Sequence, residues 1–329
     1  MSELIDRYLR HVGTAKRYSE RTQAIYRDVL SGFHSFVSEG EDCSDDVFVT
    51  CLKPQLIRSY EVHLLDERNN SPRTVNLHLS VLSGFCKFLM KEGRISSNPV
   101  HLVSRPKMEK RLPDFYKDDS MREYFEMTAH SASEDELEVL ASFGSDVAGN
   151  DTAKEMYERR LRRMIVSLLH GTAIRRSELI SLDCGSVDFS RRVMRVRGKG
   201  DKVREIPLLA PLCEELSLYQ RSVELFLGIC ESPARALLLT ASGRRLYPVY
   251  VDRTVKEELG QVRDITGRKS PHVLRHTLAT GLLNEGTDLN SIKEFLGHSS
   301  LAATQVYTHN SIEKLKKIYT EAHPRAKEK

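Results

Sequence analysis

Hydrophobic residues in the first hundred positions recur at spacings of three and four, the pattern of helices with one buried face. One such run begins at Glu20 and extends past Phe33. A second follows Ser71, which can cap a helix, and Pro72, which suits the first helical position. Its predicted buried stripe is Val75, Leu79, Leu82, Phe85, Phe88 and Leu89. The pattern therefore predicts a small helical domain over residues 1–105.

Beyond residue 105 the pattern changes twice. Residues 106–117 are basic at their start and include two prolines, as linkers between domains often do. A long helix is then predicted from Arg160, and helical patterns return after Leu212. Between these helices, partly alternating runs predict a small antiparallel sheet with strands at 186–189, 193–197 and 202–208. We therefore expect a mainly α fold, with a second domain over 118–329.

Composition is that of an ordinary globular protein, with 40% hydrophobic and 29% charged residues in a chain of 329. The net charge is only +4, but its distribution along the chain is uneven. Residues 1–112 carry about +3, residues 113–150 about −8 and residues 151–329 about +9. Clustered lysines and arginines can bind a phosphate backbone, although charge alone fits a solvated surface equally well.

Some function classes are disfavoured. The chain contains no apolar run of the length that spans a bilayer, and its charged start differs from a secretory signal. We therefore expect a cytoplasmic protein with no membrane partner. The six cysteines lack the short spacings of metal sites, so we expect no metal and no other cofactor.

Chemistry is indicated by His272 and Arg275, which stand three residues apart at a predicted helix start and so project from one face. A guanidinium binds two phosphate oxygens at once, and an imidazole can move a proton. His298 and Tyr307 follow further along the chain. A tyrosine can attack phosphorus once its proton is removed and the phosphate oxygens are neutralised. These residues together indicate phosphoryl transfer to a tyrosine.

Four separated motifs then carry a resemblance to a known family. They are Thr172-Ala-Ile-Arg-Arg-Ser-Glu-Leu, Arg197-Gly-Lys-Gly-Asp-Lys-Val-Arg, His272-Val-Leu-Arg-His-Thr-Leu-Ala-Thr and Leu296-Gly-His, with Tyr307 nine residues after that last histidine. Each motif is weak alone, but the ordered set is specific. By these motifs the second half resembles the tyrosine recombinase, or phage integrase, family, and the whole chain is similar to bacterial Xer-type recombinases. The family's first arginine commonly follows glycine and leucine, whereas Ala173 and Ile174 stand here.

The resemblance implies a role for each matching residue. Arg175 and Arg275 would hold the scissile phosphate, and Lys199 would protonate the leaving 5′ oxygen. His272 would be the general acid/base partner. The remaining roles are a phosphate hydrogen bond from His298, a structural contact from Glu178 and nucleophilic attack by Tyr307, which becomes a 3′-phosphotyrosine. The overall reaction would be site-specific exchange of DNA strands, and it would need no ATP.

The resemblance also implies that the helical N-terminal domain is a SAM-like core-binding domain that contacts DNA. Basic side chains and helix N-termini suit phosphates, although an ordinary amphipathic helix face explains the same residues equally well. The candidate DNA contacts are Arg21, Arg73, Thr74, Asn76 and Lys87.

Partners follow from the same resemblance. The expected partner is double-stranded DNA with specific recombination sites, bound by a homo-tetramer or by a hetero-tetramer with a paralogue. The amphipathic segment 312–319 is a candidate for docking on a neighbouring subunit. The biological use could be resolution of chromosome dimers, integration or DNA inversion.

Other interpretations remain open. Taken singly, Arg175 fits a surface salt bridge, Lys199 a solvated turn and Tyr307 an ordinary packed aromatic residue. Only their ordered occurrence with the other motifs favours a site. The same pocket would also serve a type IB topoisomerase-like enzyme that relaxes supercoils. A DNA-binding regulator with the fold but without the activity is the third hypothesis.

Overall fold

A computed structural model of the chain describes residues 3–16, 18–38, 44–108, 114–198 and 201–297. The chain divides into two compact units, Met1–Arg111 and Leu112–Lys329. Both units are mainly helical, as the hydrophobic pattern predicts. None of the helices described combines the length and the apolar composition that a membrane crossing would need.

Over its described part the first unit contains helices and no strand, and its core is formed mainly by α1 (Glu3–Thr14), α2 (Glu20–Ser38) and α5 (Pro72–Lys91). The second predicted run forms α5, where the Ser71 hydroxyl accepts a hydrogen bond from the backbone N–H of Thr74 and Pro72 occupies the first turn. All six residues of the predicted stripe are buried. The helices are α1 (Glu3–Thr14), α2 (Glu20–Ser38), α3 (Asp45–Thr50), α4 (Pro54–Val62), a π-helical turn (His63–Glu67), α5 (Pro72–Lys91) and a 3-10 turn (Pro99–Leu102).

The second unit is built around α8, whose residues are buried along most of its length. Helices α10 (Ala210–Leu227), α11 (Pro248–Glu258) and α12 (Pro271–Asn284) pack against α8 (Asp151–Thr172). The helix predicted from Arg160 is present but begins nine residues earlier, because Asn150 caps it by accepting a hydrogen bond from the N–H of Ala153. The helices of this unit are α6 (Asp118–Met127), α7 (Glu134–Ser142), α8 (Asp151–Thr172), α9 (Arg176–Ser181), α10 (Ala210–Leu227), α11 (Pro248–Glu258), α12 (Pro271–Asn284) and α13 (Leu289–Leu296).

The acidic stretch before α8 is held by buried ion pairs. Glu136 of α7 is 1% exposed, and its carboxylate accepts hydrogen bonds from Arg159 at 3.0 Å and Arg160 at 3.4 Å. Arg163 donates to Glu215 of α10 at 3.1 Å. Burying one partner of such a pair alone would cost several kcal/mol, so the Glu136 pairs fix α7 against α8 and the Arg163–Glu215 pair fixes α8 against α10. This stretch is therefore an integral part of the core.

The predicted antiparallel sheet is present with the strand order β1-β2-β3. In β2 and β3, Met194 lies opposite Ile206 and Val196 lies opposite Arg204. The N–H of Gly198 donates to the carbonyl of Lys202 at 2.8 Å and closes the hairpin between these strands. The strands are β1 (Val187–Asp188), β2 (Val193–Arg197) and β3 (Val203–Pro207).

Candidate active site

Arg175 lies at the N-terminal cap of α9, after a turn that ends α8. Ala173 makes this turn in the left-handed conformation, with φ +48°, a region where glycine is less strained. The side chain of Glu178 reaches back and accepts a hydrogen bond from the N–H of Arg175 at 2.8 Å. The turn at Ala173 before Arg175 and the Glu178 carboxylate after it therefore fix the start of α9.

The Arg175 guanidinium bridges two parts of the second unit. Its Nη1 donates to Glu178 Oε1 at 2.7 Å, and its Nη2 donates to the carbonyl of Gly297 at 3.2 Å. The side chain keeps 33% of its surface exposed. An arginine has five N–H donors, so these two contacts leave donors that can reach a phosphate.

Arg275, on α12, contacts the turn at Ala173 and also the turn at Leu296 and Gly297 that Arg175 contacts. Its Nη1 donates to the carbonyl of Ala173 and its Nη2 to the carbonyl of Leu296, each at 2.5 Å. Burial and, after it, the nearby charge of Arg175 together lower the pKa of Arg275 to about 10. Two guanidinium groups that repel each other across a shared turn would both be stabilised by a phosphate between them.

The carboxylate of Glu178 also binds Arg204 of β3, which is buried. Arg204 Nη1 donates to Oε1 at 3.0 Å and Nη2 donates to Oε2 at 2.9 Å. Burial raises the pKa of Glu178, but hydrogen bonds from Arg204 and Arg175 outweigh it and hold the pKa at about 2. Glu178 is thus an ionised carboxylate paired with two arginines, and no role for Arg204 was predicted.

Gly297 is required by the backbone over these arginines. Its φ is +64°, and a Cβ at this position would lie 3.0 Å from the Cδ and 3.1 Å from the Nε of Arg204. A side chain here would have to push the buried arginine aside and would also be strained. The carbonyls of Leu296 and Gly297 can therefore face the two site arginines.

His272 stands at the exposed start of α12, one turn before Arg275. Burial lowers the pKa of His272, and the positive charges of Arg176, Arg275 and Arg268 lower it too. An imidazole with a pKa below its ordinary value is mostly neutral at pH 7 and can accept a proton. This state suits the general acid/base role predicted for His272.

The position of α12 is also set by Tyr116, which lies near the end of the predicted linker. The N–H of Tyr116 donates to the hydroxyl of Thr277 at 2.9 Å, and its phenol donates to the carbonyl of Arg268 at 2.9 Å. The phenol also accepts a hydrogen bond from the N–H of Ser270. Tyr116 thus holds both the loop before α12 and the helix itself.

Of the six residues predicted to carry the chemistry, the structure brings Arg175, Arg275 and His272 to one region. Lys199, His298 and Tyr307 lie outside the described residues. Lys199 and His298 directly follow Gly198 and Gly297 in the chain, and both of these glycines lie beside Arg204.

The candidate DNA contacts in the first unit occupy two kinds of position. Arg21 and Arg73 are exposed in the first turns of α2 and α5, and Thr74 is half-buried beside Arg73. Lys87 is exposed about 21 Å further along α5. The side chain of Asn76 donates to the carbonyl of Pro106 at 3.0 Å, so its amide N–H₂ group is engaged in holding the start of the predicted linker.

We predict that Glu178→Gln destabilises the second unit by roughly 3 kcal/mol at neutral pH, because it leaves the buried Arg204 without its counterion. Since the pKa of Glu178 is depressed, its contribution is present above pH 4.5, its ordinary pKa, and is lost as the pH falls towards 2. Thermal unfolding of both proteins between pH 7 and pH 3 tests this: their difference in stability should narrow as the pH falls.

Glu205→Gln is the matched control. Glu205 also binds two arginines, Arg191 and Arg195, but both are largely exposed on the surface of the sheet. Its loss should cost less than about 1 kcal/mol. Equal destabilisation by the two substitutions would contradict the role given to Glu178.

Comparisons with known proteins cover nearly the whole chain. The model of the phage integrase family matches residues 146–314, and that of the phage integrase N-terminal SAM-like domain matches residues 5–93. The tyrosine recombinase XerC of Chlorobaculum parvum is 35% identical over 327 residues, which cover 98% of this chain and 94% of the relative. The tyrosine recombinase XerC of Bacillus subtilis is 33% identical over 321 residues, covering 97% and 95%.

Solved structures share the fold at low sequence identity. The Tn1549 transposon integrase in complex with transposon right end DNA has a TM-score of 0.63 at 18% identity, covering 96% of this chain and 99% of the other. A lambda integrase dimer bound to a COC′ core site has a TM-score of 0.59 at 15% identity, covering 95% and 76%. The mainly helical fold with a small antiparallel sheet is thus confirmed.

Proposed function

Because this chain belongs to the phage integrase family, it is a tyrosine recombinase that cleaves and rejoins DNA, and we propose that Arg175 and Arg275 hold the phosphate that Tyr307 attacks. The observation that carries this proposal is the convergence of the two guanidinium groups on the turn at Leu296 and Gly297. This turn directly precedes His298 in the chain.

The proposed reaction is an exchange of phosphodiester bonds. The phenol oxygen of Tyr307 forms a bond to phosphorus while the bond from phosphorus to the 5′ oxygen breaks, leaving a 3′-phosphotyrosine and a 5′ hydroxyl. Neutral His272 accepts the phenol proton, and Lys199 supplies a proton to the departing oxygen. The arginines, with His298, stabilise the charge on the non-bridging oxygens. Rejoining to the 5′ hydroxyl of another strand reverses these steps.

A two-site plasmid assay tests the function against its nearest alternative. Purified protein and a supercoiled plasmid with two copies of its recombination site should give deletion or inversion products. Relaxed plasmid without exchanged products would favour the topoisomerase-like alternative. Binding of the recombination site without any covalent protein–DNA adduct would favour the hypothesis that the protein is a DNA-binding regulator.

We propose that the partner is double-stranded DNA with specific sites and that four subunits act on two duplexes, since each exchange requires four strand cleavages. The four subunits are either identical or include a paralogue. The integrases in the two solved structures above are bound to DNA, which supports the DNA partner. Because the proposed partner is DNA, we propose that the protein acts in the cytoplasm.

Within this assembly, segment 312–319, which lies outside the described residues, is proposed to dock on a neighbouring subunit. Its apolar residues recur at a spacing of three with charged residues between them, which suits a helix laid in a groove. Deleting residues from 312 onward should weaken cooperative synapsis of two sites at least about tenfold more than binding to one site. Gel-shift titrations with one-site and two-site DNA measure this, and equal losses would contradict the proposal.

We propose that the first unit is the core-binding domain, with Arg21, Arg73, Thr74, Asn76 and Lys87 on its DNA side. Two of its helices open alike. The Ser19 hydroxyl lies 3.0 Å from that of Thr22, as the Ser71 hydroxyl does from that of Thr74, and an exposed arginine stands between each pair. Helix N-termini with exposed arginines suit phosphate contacts.

A further inference from the structure

We infer that Arg204 is a positioning residue of the recombinase: it occupies the carboxylate of Glu178 so that the guanidinium of Arg175 stays available to the scissile phosphate. The inference rests on the proposed function and goes beyond it, because Arg204 touches neither DNA nor the nucleophile in that scheme. The contacts of Glu178 and Gly297 with Arg175 and Arg204 carry it.

Glu178 is shared between the two arginines on both of its oxygens. Oε1 accepts from Arg175 Nη1 at 2.7 Å and from Arg204 Nη1 at 3.0 Å. Oε2 accepts from the N–H of Arg175 at 2.8 Å and from Arg204 Nη2 at 2.9 Å. Arg204 thus makes the two-pronged pair with the carboxylate, while the Arg175 guanidinium makes a single bond.

Without Arg204, the second prong of the carboxylate would become available to Arg175. A two-pronged guanidinium–carboxylate pair is stronger than a single bond and fixes the plane of the guanidinium. Arg175 would then turn towards Glu178, and its charge would be paired with the Glu178 carboxylate instead of the scissile phosphate. Arg204 prevents this because it is buried at the carboxylate and cannot itself leave for solvent.

Arg204 also supports the backbone that receives the second arginine contact. Gly297 packs directly on its side chain, since a Cβ there would lie 3.0 Å from Arg204 Cδ. The carbonyl of Gly297 accepts from Arg175 Nη2. Both anchors of the Arg175 guanidinium, the Glu178 carboxylate and the Gly297 carbonyl, therefore rest on Arg204.

A lysine cannot fill this position. Its single ammonium group cannot make two parallel bonds to one carboxylate, so the second prong would stay open to Arg175. Arg204→Lys keeps the buried charge next to Glu178 and is the substitution that preserves folding best. Arg204→Met removes the charge while keeping an unbranched side chain.

The test compares single-turnover cleavage of two DNA substrates by the wild type, Arg204→Lys and Arg204→Met. One substrate has the ordinary scissile phosphate, and the other has a neutral methylphosphonate at that position. On the phosphate we expect losses of about tenfold for lysine and about a hundredfold for methionine, the scale of removing one transition-state donor. On the methylphosphonate these losses should shrink at least about fivefold, because a neutral centre depends less on the charge of Arg175.

Arg195→Met is the matched control, because Arg195 lies on the neighbouring strand and pairs with Glu205 at the exposed surface. It should change neither rate by more than about twofold. Equal losses on both substrates for an Arg204 variant whose unfolding temperature stays within a few degrees of wild type would overturn the inference, and if the methionine variant does not fold, the lysine variant decides. A wild-type protein without adduct on either substrate would instead refute the proposed function.

Discussion

Phenylalanine in place of Tyr307 is expected to abolish the covalent protein–DNA adduct, with cleavage reduced by at least about 10⁴-fold. The phenol oxygen is the atom that bonds to phosphorus in the proposed reaction, and the ring without it has no nucleophile. The measurement uses end-labelled DNA with a nick near the cleavage site, so that the cleaved strand diffuses away and the adduct accumulates on a denaturing gel.

Binding of the intact site should stay within about twofold of wild type in a gel shift, because one hydroxyl contributes little to a large DNA interface. Tyr247→Phe is the matched control: Tyr247 is half exposed at the start of α11 and should form the adduct at the normal rate. Adduct formation by the Tyr307 variant would show that another group is the nucleophile.

Substitution of Arg275 should have the second largest effect. Arg275→Ala is expected to slow cleavage by about 10³-fold, because it removes a preorganised cation from the phosphate. It also leaves the carbonyls of Ala173 and Leu296 without their donor. Arg275→Lys should retain more activity than alanine but remain well below wild type, since lysine binds phosphate as a point charge and cannot bridge both carbonyls.

Rates of single-turnover cleavage measure these effects, with thermal unfolding of each variant as the check on folding. Arg221→Lys serves as the control, because Arg221 pairs with Glu134 at the exposed surface of α10. That variant should cleave at the wild-type rate. A folded Arg275→Ala protein with full cleavage activity would show that Arg275 does not hold the scissile phosphate.

Much of the fold follows from local pattern. The stripe of α5 is predicted residue by residue because helix periodicity and capping by Ser71 act over neighbouring turns. The three strands are placed to within two residues because their short alternating runs are separated by turns. These features depend on contacts close in sequence, and the sequence displays them directly.

Arg204 shows what the local pattern does not reveal. Its partner Glu178 is 26 residues away, and no helical or strand spacing connects them. The alternation of side chains along β3 nevertheless gave a signal. Arg204 lies on the same sheet face as Ile206, which is buried, whereas Val203 lies on the other face and is exposed. A charged residue on the inward face of a strand indicates a buried partner. The same reasoning applies to Glu136, whose arginine partners lie on another helix.

The candidate site was predicted from the order of motifs, and of its six residues the structure describes Arg175, His272 and Arg275. The spacing of His272 and Arg275 placed both at the start of one helix. It could not show that Arg175 and Arg275 share the turn at Leu296 and Gly297, because the three segments meet only in the folded chain.

The most direct test of the central claim is to identify the amino acid that becomes linked to DNA. Adduct trapped on the nicked substrate is digested with protease and nuclease, and the nucleotide-bearing peptide is located by tandem mass spectrometry. We predict a 3′-linked nucleotide on the oxygen of Tyr307. A nucleotide on any other residue, or one linked through its 5′ phosphate, would contradict the assignment of Tyr307 as the nucleophile held opposite Arg175 and Arg275.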